Sequence, residues 1–95
     1  MAEEKRPPDE LTIVFKKPIV LADTHYTDIT LREPTVGEME KAGEFSGVGE
    51  LIELTRVIAA VPQGVVRQIP ISQFREIAAY FRFFTQGGPW SGARA

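Results

Sequence analysis

Side chains able to do chemistry are sparse in this chain of 95 residues, and their spacing argues against a reaction centre. His25 is the only histidine, and without any cysteine it has no second soft ligand to complete a metal site. It reads as a solvated turn residue. The serines stand at caps and loops with no base beside them, so a nucleophilic triad has nothing to rest on. Glu38, Glu40, Glu44, Glu50 and Glu53 could be imagined as paired carboxylates, but they follow exposed helical positions. No aromatic or apolar residue alternates with them to build a sugar cleft. The glycines of "SGVGE" precede a helix, yet they lack the lysine and hydroxyl of a P-loop and the full dinucleotide fingerprint. The chain therefore offers no catalytic, cofactor-binding or metal-ligating residues and is not expected to be an enzyme.

The last predicted helix is more informative. Phe74, Ile77, Ala78 and Phe81 recur at spacings of three and four, which gives an ordinary core face. Tyr80 and Phe83 fall outside that face, Phe84 lies at its border, and Phe83 points roughly opposite Phe74. An apolar side chain on that side is either a second buried contact or an exposed anchor for a partner. Arg75 and Arg82 flank the rings, an arrangement that suits a helical, acidic or amphipathic partner. Tyr80, Phe83, Phe84, Arg75 and Arg82 are thus the candidate partner-binding residues. Trp90, further on, is either a late packing contact or another anchor.

Positioning these residues requires a small mixed fold. Residues 1–10 combine charges with Pro7-Pro8 and read as a flexible tail. From Leu11, "LTIVF", "KKP" and "IVLADTHYTDITLRE" are rich in β-branched and aromatic residues and predict two strands. Pro18 cannot donate to a ladder, so the first strand lies on an edge or breaks there. Asp23 and Thr24 are the expected turn, after which Thr27, Ile29 and Leu31 alternate with Tyr26, Asp28, Thr30 and Arg32. This is a half-buried hairpin with one face seeking a helix.

The stretch "LREPTVGEME" marks the strand-to-helix joint. Pro34 restricts Glu33 to extended geometry, Thr35 can cap a helix, and Glu38 completes a capping box at the positive end of the helix dipole. Val36, Met39 and Ala42 form the expected apolar stripe of a short helix that ends near Gly43. A second helix runs from about Val48 or Gly49 to Ala60, with Leu51, Leu54 and Ile58 inward and Ile52, Val57 and Val61 beside them. Pro62 stops it. "PQGVVRQIP" reads as a connector in which Val65, Val66 and Ile69 can pack. Ser72 is the expected cap of a third helix over about Gln73 to Gln86, stopped by Gly87-Gly88 before a flexible tail at 87–95. The prediction is an α+β fold: an N-terminal β-hairpin packed against about three helices in a single small domain, 11–86.

Composition sets the outer limits. With 43% apolar and 25% charged residues the chain is that of a globular protein with one modest core. A net charge of −2 gives no general pull toward nucleic acid or an anionic membrane. The charge is uneven: residues 1–33 and 34–60 sum to −2 and −3, while 61–95 sum to +3. Solvated faces of opposite sign explain this, and so does a basic docking surface in the last third. Absence of cysteine is compatible with a reducing compartment, and "MAEEKRPPDE" has no apolar segment of a secretory signal or membrane span. Cytoplasmic folding is expected.

The order "LTIVFKKPIVLADTHYTDITLREPTVGEMEKA", an apolar helix, then "VVRQIPISQFREIAAYFRFF" resembles the tail assembly chaperones of Mu-like and related tailed phages and prophages. Its characteristic parts are the lysine and Pro18-Ile19 step, then Leu31-Arg32, Pro34-Thr35 and Gly37-Glu38, and it covers roughly residues 11–86. Where members often carry an acidic residue near the start of the last helix, this chain has Ser72-Gln73. The resemblance implies a non-catalytic protein that binds and solubilises the tape measure protein and helps recruit tail tube subunits, without a cofactor. It places the protein in the cytoplasm of the bacterial host and not in the mature virion. It also implies a frameshifted longer form that engages the tube protein, for which the "GGPW" region is the expected site. Tyr80, Phe83 and Phe84 then serve tape measure binding or self-association. The alternative is a small structural tail or connector protein retained in the virion.

Overall fold

The computed structural model describes residues 8–86. Most of the expected N-terminal tail, the Gly87-Gly88 stop, the tail at 87–95 and Trp90 lie outside the described residues. β1 (Glu10–Leu21) and β2 (Thr24–Arg32) pair antiparallel in a two-stranded sheet. Ala22 and Asp23 form the loop, both left-handed at φ 50° and 69°, the backbone of a two-residue type I′ hairpin whose twist suits the flanking strands. The turn is thus one residue earlier than expected, because Thr24 already pairs with Leu21.

The break expected at Pro18 is a slip in register. Between Val14↔Asp28 and Ile19↔Tyr26, β1 advances five residues and β2 advances two, and Lys16-Lys17-Pro18 take up the excess. A slip of three exchanges faces, since side chains alternate with period two. Ile13, Phe15 and Ile19 all stay buried on β1, while on β2 the inward positions change from Ile29 and Leu31 to the half-buried Tyr26.

Four helices follow: α1 (Val36–Ala42), α2 (Val48–Ala59), α3 (Gln63–Val66) and α4 (Ile71–Gln86). The additional one, α3, is a single turn begun by Pro62, whose carbonyl accepts from the N–H groups of Val65 and Val66 at 3.0 and 3.4 Å. Val65, Val66 and Ile69 are buried as the connector pattern predicts. Val36 departs from the expected α1 stripe and is 86% exposed. Two successive steps of three turn a helix about 120° away from a whole number of turns, so Val36 and Ala42 cannot share one face. α4 starts at Ile71 because the carbonyl of Pro70 accepts from Gln73 and Phe74 N–H at 3.0 and 2.9 Å. Ser72 therefore sits inside the first turn, where its hydroxyl meets Lys16 Nζ at 3.3 Å.

α1 packs on α2, α2 on β2, α3 on α2 and β1, and α4 on β1. One core joins them, including Phe15 and Leu31 of the hairpin, Leu54 and Ile58 of α2, Val65 of α3, and Ile77 and Phe81 of α4. Thr55 is also fully buried, its hydroxyl satisfied by the Leu51 carbonyl at 2.7 Å. The architecture is the predicted α+β single domain.

Candidate partner-binding surface

The strand-to-helix joint is built as the residue types dictate. Thr35 Oγ1 accepts from the Glu38 N–H at 3.2 Å, and Glu38 Oε1 accepts from the Thr35 N–H at 2.9 Å, closing the capping box. Arg32, at the end of β2, then grips both Glu38 oxygens at 2.9 and 2.7 Å. That fork from Arg32, followed by the Thr35 N–H, holds the Glu38 carboxyl down at about 2. Glu53 is similarly committed, to Arg56 at 2.6 Å, and its pKa is lowered by that hydrogen bond. Glu38 and Glu53, two of the five carboxylates between residues 38 and 53, are therefore fixed in ion pairs and not poised as an acid and base pair. Pro34 is half-buried between the strand and the cap.

On α4 the predicted face of Phe74, Ile77, Ala78 and Phe81 is buried. Tyr80 is buried as well, with no exposed surface, which departs from its expected place outside that face. The cause is a second wall: the chain entering β1 closes over α4, and Tyr80 Oη donates to the carbonyls of Pro8 and Asp9, both at 3.0 Å. Burial, then the charges of Asp9, Glu10 and Glu33, raises the Tyr80 pKa, so the phenol stays protonated as a donor. Phe84 meets the Tyr80 ring edge-on at 5.1 Å, and Phe83 meets Phe84 edge-on at 5.3 Å. Both phenylalanines are half-buried. The aromatic set is a ladder running from core to surface, with Tyr80 at its inner end.

Arg75 and Arg82 are exposed. Together with Ile71, at spacings of four and seven, they form one stripe along the outside of α4. Ile71 is 66% exposed and Val48, at the start of α2, is 62% exposed. Neither stands out as a site residue in the sequence. Ile71 precedes the expected cap at Ser72 and so reads as connector, and Val48 reads as a helix start. Nothing local distinguishes an exposed valine or isoleucine from a core one. Gln73, one of the buried polar side chains, ties α4 to β1 and carried no sequence signal either.

Comparison with known proteins turns this surface toward a role. The profile of one family, described as phage tail assembly chaperone proteins, E, or 41 or 14, matches residues 12–86. The chain belongs to the phage tail assembly chaperone family. No curated protein and no solved structure matches the chain closely enough to count as similar. Membership of a tail assembly chaperone family makes the partners proteins of the tail assembly process, and the matched span takes in almost all of the described fold. Among the described residues, no helix is long and apolar enough to cross a membrane, and no group of three or more His, Cys, Asp or Glu could hold a metal ion.

Proposed function

We propose that this tail assembly chaperone binds and solubilises the tape measure protein and helps bring tail tube subunits to it during tail morphogenesis. The observation that carries the reading is the family match over residues 12–86. A folded small domain that leaves Val36, Phe45, Val48 and Ile71 uncovered supports it, since a holdase works through many modest apolar contacts along a long partner. Phe83, Phe84, Arg75 and Arg82 belong to the proposed contact surface, for the tape measure protein or for self-association, while Tyr80 supports the rings from within. A frameshifted longer form, arising at the Gly87-Gly88 codons, would engage the tube protein. Action in the host cytoplasm, before the particle is complete, fits this role.

Co-expression with the tape measure protein of the same phage, followed by size exclusion with mass determination, tests the proposal. A soluble complex with several copies per tape measure chain is the expected result. An insoluble tape measure protein beside free small protein would refute sufficiency of the short form. Coding DNA without a slippery guanine run or an overlapping frame would remove the frameshifted form, and the protein's presence in purified particles would overturn its transient role.

A further inference from the structure

Between α2, α3 and α4 lies an open groove of about 210 Å³. Its floor is buried Val66, Ile69 and Phe74, its lips are the exposed Val48 and Ile71, and Ile52 is half-buried along one side. Among the described residues, Arg67 is the sole charged side chain lining it. Val48 and Ile52 are spaced by four on α2, and Ile71 and Phe74 by three on α4. Two helical ridges with a furrow between them accept the ridge of a third helix, whose own anchors recur at the same spacings.

We propose that this groove docks an amphipathic helix of a partner protein that carries a carboxylate beside its apolar stripe. Charge decides the choice of occupant: with Arg67 at the groove and Arg75 one turn beyond Ile71, the site attracts an acidic flank and repels a basic one. This surface is distinct from the Phe83–Phe84 end of α4. It stands on the groove itself and does not require that the partner be the tape measure protein.

Two synthetic helical peptides of roughly 18 residues, long enough to hold helix in water, provide the probes. They share a leucine stripe at helical spacing and differ in bearing glutamate or lysine beside it. Heteronuclear NMR titration should show the glutamate peptide shifting the amides of Val48, Ile52, Arg67 and Ile71, with the lysine peptide at least about tenfold weaker. Arg67→Glu should reverse that preference, and Ile71→Asp, at an exposed position, should abolish the shifts while leaving the remaining spectrum intact. Shifts confined to other residues, equal response to both peptides, or no response at these amides would each overturn the proposal. If the same amides respond to dilution of the protein alone, the occupant is a second copy and the proposed partner is wrong. A failed tape measure co-expression would leave this titration decisive, so the two readings can fail separately.

Discussion

Gln73 engages Val14 as a neighbouring strand would. Its Nε2 donates to the Val14 carbonyl at 2.7 Å, and its Oε1 accepts from the Lys16 N–H at 3.2 Å. One carboxamide thus satisfies the backbone on both sides of Phe15, just where β1 slips against β2. The site calls for a side chain that both donates and accepts, which a carboxamide does and a carboxylate does not.

Gln73→Glu should therefore destabilise the fold by about 1–3 kcal/mol at neutral pH, because the carboxylate faces the Val14 carbonyl without a proton. The carbonyl disfavours the charged form, raising the folded pKa of the new carboxyl above its unfolded value. Protonation restores a donor, so the deficit relative to the parent chain should shrink as pH falls through that raised pKa. Urea unfolding of both proteins at matched pH measures this; a deficit that grows on acidification contradicts the pairing.

Glu38 is a native carboxyl shifted in the other direction, downward. Its folded pKa is depressed to about 2, so its contribution is complete above the ordinary carboxylate range and is lost as pH falls through about 2. Arg32 is 44% exposed on its side chain, so solvent screening keeps the contribution small. Glu38→Gln should cost about 1 kcal/mol at neutral pH and nothing at the acid limit. Thr35→Ala should cost about 1 kcal/mol through its lost cap. Denaturation midpoints of each variant across that pH range are the measurement, and a pH-independent Glu38→Gln deficit would sink the linkage.

Tyr80 and Phe83 should separate stability from binding. Tyr80→Phe removes the bonds to Pro8 and Asp9 and should cost about 1 kcal/mol, and Tyr80→Ala about 3–5 kcal/mol through the cavity left behind. Phe83→Ala should change stability less than Tyr80→Ala and weaken tape measure capture. Thermal unfolding and pull-down on the same preparations compare them. Capture unaffected by Phe83→Ala would remove that ring from the contact surface.

Ala60 closes α2 in the left-handed region at φ 57°, where a Cβ is strained. Ala60→Gly should raise stability by about 0.5–1 kcal/mol, relief of strain exceeding the added chain entropy. Replacing Ala22-Asp23 by Asn-Gly should act in the same direction at the hairpin loop. A lowered unfolding midpoint in either variant would count against the left-handed assignments.

Local chemistry made much of this fold legible. Pro34, Thr35 and Glu38 announce the joint because a cap is a contact between residues three apart, and the hairpin and the face of α4 follow from side-chain periodicity. The exact turn and the start of α4 were less legible, since Ala22 and Pro70 do work usually given to better turn and cap residues. The surface was only partly readable: Phe83 and Phe84 do lie at the edge of the core, but helical angle alone could not place Tyr80.

By itself the sequence determined the two strands, the three longer helices, the capped joint, the α+β class and the family, all of which depend on neighbours along the chain or on the order of motifs. Tertiary structure decided what each surface faces. The segment entering β1 buries Tyr80, the register slip turns Tyr26 toward the core, and Gln73 finds Val14 across 59 positions. Whether Val48 and Ile71 are covered depends likewise on how the helices converge. Periodicity gives a side chain's direction around its own helix, whereas burial depends on what the rest of the chain brings to that side.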